Sequence, residues 1–588
     1  MNEFINSEKG VMSRNSQLVV LKFGGSVLRS EADLPNAVHE IYRWWREGSQ
    51  VIAVASAFAD ATDRLVSLAK SLCRQPEKST LASLLATGEA TSSALLGLAL
   101  NRAGIPARVL DALQAGLRTV GGQLNADLVA LDAARLVRES SRGVAVVPGF
   151  VGRGENGETT LLGRGGSDYS ALFMAQRLGA RCVLLKDVDG LYTDDPAKYA
   201  AGATRFARVS YETASRFGGG LVQHKAVRFA AAHKLPFTIT CIGAAHATEV
   251  GPFADQLAGP PGIIEPLSVA LLGCGTVGGG VYQRLAALPE LFCVIGVGIE
   301  QPDRARATGV PDALITTDLE SLVQEPCDVV IELIGGTKRA ASLTAQALGL
   351  GKSVVTANKA LMAHAGEVLQ DLADENGANL HYSAAVGGAM PALEAVKRAR
   401  AAGPLRRIVG VLNGTTNFVI EQLASGQTFS AAVTTAQERG YAEAQPKLDL
   451  NGIDAAQKLI LLARAAFDVS LPIHRIAIRG IDGLNAEALR KVEARGQTVR
   501  LVAECSRSGH GLVASVKPME LPVLHRLAQA RGAENCLVIK PEAGDALTVS
   551  GEGAGRWPTT EAVMSDLFEI QRNRMVEQRP EELEECVA

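Results

Sequence analysis

The segment GYAEAQPKLDLNGIDAAQK, residues 440–458, sets Glu443, Asp449, Asp454 and Lys458 around one helix start. Asp454 and Lys458 stand four apart and so share a helix face. The helix continues as LILLARAAF, an apolar wall beside which burial and the neighbouring carboxylate together set the charge of the lysine. Such a lysine is poised to pass a proton; a solvated i,i+4 ion pair is the plainer reading that this segment leaves open. Lys359, in TANK, follows the strand-like KSVVT and therefore stands at a strand's carboxyl end, where α/β sites gather. Its plainer reading is a loop lysine in water.

Two glycine turns carry a different chemistry. SVALLG reads as a strand, Gly273, Gly275 and Gly278 follow as G-x-G-x-x-G around Thr276 and Val277, and VYQRLAAL reads as a helix. That strand–turn–helix context gives the motif its meaning: a pyrophosphate sits on the helix N-terminus, held by backbone N–H groups and the macrodipole. The next strand, FCVIGVGI, ends at Glu300, where an acid bonds the ribose 2′-OH of NAD. Arg304 and Arg306 lie just beyond and suit a 2′-phosphate instead, which leaves NADP and NAD both open. The second turn, VVLKFGGSV, puts Lys22 at a strand end before Gly24 and Gly25, a shape that lets an ammonium and backbone N–H groups approach phosphate.

These residues need a scaffold of several domains, at about 100–200 residues each in a chain this long. From Leu18 onward β-branched runs such as QLVVLKF and QVIAVASA alternate with Ala/Leu-rich helical stretches, which predicts α/β layers on a mainly parallel sheet. Residues 143–163 predict a hairpin with ENG at its turn. Gly/Pro-rich residues 248–266 read as a linker before a new βαβ series at Leu267. A net charge of −3 with 21% charged residues gives no reason for a nucleic-acid or anionic-membrane partner, so small-molecule chemistry is expected. The nine cysteines show no CxxC pair and no His/Cys ligand spacing, against a disulfide framework or structural zinc and for a reducing cytoplasm. A polar N-terminal segment and the lack of a run of about 18 apolar residues predict neither export nor a membrane span.

VALLGCGTVGGGV at 269–281, DVVIELIGG at 328–336, VVTANKALMA at 354–363 and VLNGTTNF at 411–418 precede the 440–458 segment in an order that resembles homoserine dehydrogenase, over roughly 267–575. VVLKFGGSV at 19–27, VASAFADATDRL at 54–65, LLATGEATSSALL at 84–96, LLGRGGSDYSALFMA at 161–175 and LLKDVDGLYTDDP at 184–196 resemble the catalytic domain of aspartate kinase, within the amino-acid kinase fold, over about 17–247. The first resemblance implies Lys359, Asp454 and Lys458 as the catalytic set, Glu443 and Asp449 on the amino and hydroxyl ends of the substrate, and Asn413, Gly414 and Thr415 lining the site. It implies the Gly273–Gly278 turn, Glu300, Arg304, Gly335, Thr356, Asn358 and Gly555 about NADP or NAD, and the carbonyls of Val386, Gly388 and Met390 about a monovalent cation. The second implies Lys22, Gly24, Gly25, Asp187 and Tyr192 at Mg-ATP, with Lys22 neutralising the transferred phosphoryl group. Ser56, Glu89, Arg164 and Ser167 would then hold aspartate. For Glu89 the plainer alternative is a helix-face acid, and for Ser167 or Asp168 a helix cap.

The implied protein is an amino-acid kinase-like domain at 17–247, a linker at 248–266, a Rossmann domain at 267–395 and an α+β catalytic and dimerisation domain at 396–575. Its implied work is NAD(P)H-dependent reduction of L-aspartate 4-semialdehyde to L-homoserine, fused to ATP-dependent phosphorylation of the aspartate side chain, in a homodimer or larger oligomer. A dehydrogenase carrying a non-catalytic kinase-like module is the alternative. Ser383 stands where the dehydrogenase pattern has a cation-binding Glu, and Gln445 where an Asp is common. Ala197 and Leu221 replace two nucleotide-side cations of the kinase pattern, with Lys198 or Lys225 as possible substitutes. In GEGAGRWPTTEAVMSDL, 551–567, Thr559 reads as a helix N-cap.

Overall fold

The computed structural model describes residues 18–195, 203–217, 220–258, 265–442, 445–509 and 511–577. In the first half nine strands form one sheet, in the order Gln256–Leu257, Phe206–Ser210, Thr248–Gly251, Phe237–Cys241, Arg181–Lys186, Leu18–Phe23, Gln50–Ala55, Val144–Pro148, Ala107–Val109. Its six strands from Phe237–Cys241 to Ala107–Val109 are parallel. Alternate residues of the central strands enter two cores: Val20, Ile52 and Val54 on one face, Val19, Leu21, Val51 and Ala53 on the other. Burial on both faces explains why these strands read as continuous apolar runs.

The linker expected at 248–266 is in part sheet. Thr248–Gly251 pairs antiparallel with Phe237–Cys241, and Gln256–Leu257 closes an edge against Phe206–Ser210. Thr248–Gly251 is an interior strand, parallel to Phe206–Ser210 on its other side and mostly buried; strands of four and two residues are too short for periodicity to mark. The hairpin forms from Val151–Arg153 and Thr159–Leu161, with Gly157 at φ +80° in the turn, while Val144–Pro148 belongs to the large sheet. The helix Lys78–Arg102 is by length and composition able to cross a membrane, a feature the sequence reading did not predict. In the fold it packs on the helix Leu34–Arg46 and on the strands Val144–Pro148 and Thr159–Leu161.

The second half carries an all-parallel sheet in the order Ile315–Thr316, Phe292–Gly298, Leu267–Leu272, Val329–Glu332, Ser353–Thr356, Leu380–His381. It also carries a mixed six-stranded sheet, Ile476–Ile478, Gly511–Pro522, Gln497–Ser508, Leu405–Val411, Glu534–Pro541, Leu547–Glu552. The helix Ile453–Phe467 buries Leu459, Leu461 and Leu462 in the core that also receives Ile408 and Leu501 of this mixed sheet. The last helix, Arg556–Glu577, returns to the parallel sheet: Val563 and Leu567 share a core with Val269 and Val281. Thr559 therefore lies inside a helix that starts at Arg556 and is not its cap.

Candidate active sites

The two lysines meet on one carboxylate. Lys359 opens the helix Lys359–Glu375 at the end of the strand Ser353–Thr356, while Asp454 and Lys458 lie in the first turns of Ile453–Phe467. Lys359 Nζ stands 2.5 Å from Asp454 Oδ1, and Lys458 Nζ stands 3.4 Å from Oδ2. Lys458 also donates to the Leu412 carbonyl at 2.8 Å. Asp454 and Lys458 are buried, whereas Lys359 keeps 40% of its side chain exposed, so the cluster faces solvent through Lys359. Burial alone would raise the Asp454 carboxyl, but Lys458 and Lys359 outweigh it and hold it well below the ordinary carboxylate range. Burial lowers the Lys458 ammonium by more than Asp454 restores. A buried cation with a reduced hold on its proton can give that proton to a developing alkoxide.

Asn413 explains how the acids are kept in place. Its Oδ1 accepts from Thr416 N at 2.8 Å as the N-cap of the helix Gly414–Ala424. Its Nδ2 donates to Asp449 Oδ1 at 2.6 Å and to Asp454 Oδ2 at 2.9 Å. Burial, then the adjacent Asp454 charge, push the Asp449 carboxyl up. Gly414 has a packing reason, since a Cβ there would sit 2.9 Å from Ala533 Cα; Thr415 donates to the Tyr441 carbonyl at 2.6 Å. Glu443 lies outside the described residues.

On the cofactor side, the strand Leu267–Leu272 runs through the glycine turn into the helix Thr276–Ala286. A Cβ on Gly278 would lie 2.0 Å from the Gly273 carbonyl oxygen, which fixes that glycine by helix–strand contact. Gly275 has no atom within 4 Å of where a Cβ would be, and it begins the helix without a side-chain cap. Its open face and free helix N–H groups fit a pyrophosphate. Glu300 is exposed and pairs with Arg339 at 3.1 Å; Arg304 is exposed on the next short helix. Sequence reasoning missed Arg339, whose only signal was a basic pair after the Gly335–Gly336 turn. It also missed Glu332. That fully buried acid accepts from Thr356 Oγ1 at 2.6 Å, Ile334 N at 3.0 Å and Gly335 N at 3.3 Å, tying Thr356 and Gly335 together. Asn358 caps the Lys359 helix through Leu361 N and donates to the Gly336 carbonyl at 2.7 Å. Gly555, at φ +125°, immediately precedes the last helix.

In the first half Lys22, one residue before the end of the strand Leu18–Phe23, has its Nζ 2.6 Å from Asp168 Oδ1, and Lys186 Nζ lies 3.0 Å from Oδ2 of the same carboxylate. All three are buried. Burial and the Lys22 charge push Lys186 down to about 8. Two ammonium groups held by one acid make a site for phosphoryl charge; Lys186 and Asp168 are functional candidates that sequence reasoning passed over or read as a cap. Asp168 lies in the first turn of the helix Gly166–Leu178, which Gly165 begins without a side-chain cap. Gly24 leaves room for Lys22, whose Nζ would be 2.6 Å from a Cβ there. Ser56 donates to Ser167 Oγ at 2.7 Å. Glu89 is buried, and its Oε2 has no partner; burial pushes its carboxyl up to about 7. Arg164 is exposed on the loop before the helix Gly166–Leu178, and Asp187 follows the strand Arg181–Lys186. Tyr192 donates to Asp189 at 2.6 Å.

Three family models match the chain: "Amino acid kinase family" over 17–243, "Homoserine dehydrogenase, NAD binding domain" over 273–383 and "Homoserine dehydrogenase" over 391–568. Homoserine dehydrogenase of Mycobacterium tuberculosis is 36% identical over 334 residues, covering 54% of this chain and 75% of that protein. The chain belongs to the homoserine dehydrogenase family. The enzyme of Synechocystis is 34% identical over 316 residues, covering 52% of this chain and 73% of its own. A solved homoserine dehydrogenase from Thiobacillus denitrificans is similar at 34% identity and TM-score 0.51, covering 54% of this chain and 76% of that one. The chain is thus a homoserine dehydrogenase with an NAD-binding domain, preceded by an amino acid kinase domain.

Lys225, expected as a substitute for a missing nucleotide-side cation, does not serve. Lys225 spends its ammonium on the carbonyls of Ala126 and Leu162, at 2.8 and 2.9 Å, and on Asp127 at 3.0 Å. It braces Ala126 and Asp127 to Leu162, just past the hairpin strand Thr159–Leu161. Lys198 and Ala197 lie outside the described residues. The cation set of the homoserine dehydrogenase half is also a poor fit. The Met390 carbonyl accepts from Ala392 N at 2.7 Å, Gly388 turns at φ +53°, and Ser383, in the place of the acid, accepts from Arg46 at 3.1 Å. With Ser383 offering no charge and the nearby Glu394 and Asp566 carboxylates already paired to the Arg46 guanidinium, Val386, Gly388 and Met390 are assigned no metal.

Proposed function

We propose that this protein reduces L-aspartate 4-semialdehyde to L-homoserine and, at a separate site, phosphorylates the side-chain carboxylate of L-aspartate. The observation that carries the first reaction is the Lys359–Asp454–Lys458 cluster, built from two different sheets' helices. NADP or NAD bound on the Gly275 face supplies the hydride. The chain's residues do the rest: Asp449 accepts from the substrate's polar end, Lys359 and Lys458 stabilise the oxygen that gains charge, and Lys458 gives it a proton. Glu300 suits the 2′-OH of NAD, while Arg304 and Arg339 suit the 2′-phosphate of NADP. Initial rates of semialdehyde-dependent oxidation of each reduced cofactor test the reading; absence of turnover with both would overturn it.

For the kinase reaction the support is the Lys22–Asp168–Lys186 group with Glu89 and Ser56 nearby. Lys22 and Lys186 neutralise the phosphoryl oxygens, and Glu89 offers its Oε2, which has no partner, to the ammonium of aspartate. Mg-ATP brings the phosphoryl group. ATP-dependent aspartyl hydroxamate formation by the full chain tests it, and its absence would leave the kinase half a non-catalytic module. We further place the protein in the cytoplasm as a homodimer or larger oligomer. Light scattering that finds a monomer at micromolar concentration would remove this assignment.

A further inference from the structure

The kinase half reaches into the dehydrogenase through one guanidinium. Arg46, the last residue of the helix Leu34–Arg46, is buried with its Nε 2.9 Å from Glu394 Oε1 and its Nη2 3.1 Å from Ser383 Oγ, 2.5 Å from Asp566 Oδ1 and 3.5 Å from Glu569 Oε2. Glu394 and Asp566 are largely or wholly buried as well. His381 lies within 4.8 Å of the Asp566 and Glu569 carboxylates. Without Arg46, Glu394 and Asp566 would lose the guanidinium that pairs with both, although Lys397 and Arg398 also lie near Glu394 and Arg572 near Glu569. Burial raises the Glu394 carboxyl, but Arg46 together with the Ser383 hydroxyl and the Lys397 charge outweighs it and holds the carboxyl below the ordinary range.

The three elements that Arg46 joins are those on which the dehydrogenase geometry turns. Ser383 begins the helix after the last strand of the cofactor sheet. Glu394 is in the first turn of Ala392–Ala402, which leads into the mixed sheet. Asp566 lies on the helix that begins beside Gly555. Lys359 comes from the cofactor sheet and Asp454 from the other side of this junction, so their contact depends on how the junction is set. The seam around Arg46 is continuous: His39 meets Glu561 at 3.0 Å and stacks on Phe568, Gly104 accepts from Glu552 N at 3.0 Å, and Ala389 is buried in a kinase-half core.

We propose that Arg46 is a positioning residue for the reductase reaction, supplied by the kinase half, so that this half serves the dehydrogenase whether or not it phosphorylates anything. The proposal rests on the dehydrogenase reading, which the wild-type rate tests first and separately.

The test is Arg46→Ala in the full chain, assayed well below its melting temperature. A junction that shifts by a fraction of an ångström should lower kcat by about tenfold to a hundredfold, while the Kd for reduced cofactor, from fluorescence titration, stays within about threefold, because the glycine turn is untouched. Millimolar methylguanidinium should restore part of kcat by filling the vacated pocket, and sodium chloride at equal concentration should not. Arg46→Lys, which keeps the charge but loses the planar fork, should fall between. If Arg46→Ala fails to fold, Arg46→Lys decides: a lowered kcat with unchanged cofactor Kd supports the proposal. A kcat within twofold of wild type in the folded variant, a parallel loss of cofactor binding, or equal rescue by sodium chloride would overturn it.

Discussion

Replacing Lys458 with Met separates proton transfer from everything else the site does. Methionine has nearly the length of the lysine stem, so the apolar contacts in the first turns of Ile453–Phe467 persist. What disappears is the ammonium, with its 2.8 Å bond to the Leu412 carbonyl and its 3.4 Å contact with Asp454. Neither partner is stranded: Asn535 Nδ2 still donates to the Leu412 carbonyl at 3.1 Å, and Lys359 and Asn413 still face Asp454. One charge-assisted bond is worth about 1.5–3 kcal/mol, partly offset by no longer burying a cation, so the variant should fold. The chemical step loses its donor, which costs about 10²–10⁴ in kcat, or roughly 3–5.5 kcal/mol of barrier. Stopped-flow or steady-state reduction of the semialdehyde reads the loss, and fluorescence titration of reduced cofactor should show an unchanged Kd. A kcat within about threefold of wild type would take Lys458 out of the proton-transfer role. The pH profile gives a second reading. Burial weakens the hold of Lys458 on its proton, so the alkaline fall in reduction rate should begin below the ordinary lysine range, and Lys458→Met should abolish that limb.

Gly275→Val should abolish binding of both reduced cofactors without unfolding the chain, because no protein atom lies within 4 Å of the new Cβ; intact binding by titration would show that the pyrophosphate lies elsewhere. Gly278→Ala should behave oppositely, lowering the melting temperature through a contact 2.0 Å from the Gly273 carbonyl oxygen, at about 1–3 kcal/mol for overpacking. In the kinase assay the KM for aspartate should rise as pH falls through about 7, since the Glu89 carboxyl takes up its proton there and ceases to attract an ammonium; a KM flat from pH 6 to 8 would separate Glu89 from the substrate. Between the kinase match, which ends at 243, and the NAD-binding match, which begins at 273, the described residues form two short strands of the nine-stranded sheet, loop, and the strand Leu267–Leu272 of the parallel sheet, with no room for a ligand-binding domain. Threonine and lysine should therefore leave both activities nearly unchanged, and sigmoidal inhibition by threonine would show an effector site.

The residues that chemistry demands were legible where two local rules agreed. Asp454 and Lys458 follow from i,i+4 spacing on an apolar helix, and the Gly273–Gly278 turn follows from a strand before it and a helix after it. Legibility failed where the reason is a contact distant in sequence. Nothing in DVVIELIGG marks Glu332 as the buried acceptor for Thr356, because its partners come from the next strand and the next turn. Lys186 looked like a strand residue until the fold set it across Asp168 from Lys22. The short strands at 248–257 are hidden by a Gly/Pro-rich composition, and Thr559 reads as a cap because the helix start three residues earlier carries no capping side chain.

Arg46 and Asp566 are 520 residues apart in the chain, and that separation has a consequence for biogenesis. At a synthesis rate of about 5–20 residues per second, the helix that carries Arg46 waits roughly half a minute to two minutes before its partner exists. Through that interval the kinase half must be held together by its own sheet, with the side chains of His39 and Arg46 facing water or a chaperone. Closure of the seam is then a late event with a long loop already in place. Slowing translation of the second half should lengthen the exposed interval and increase aggregation of nascent chains, while leaving the finished protein as stable as before.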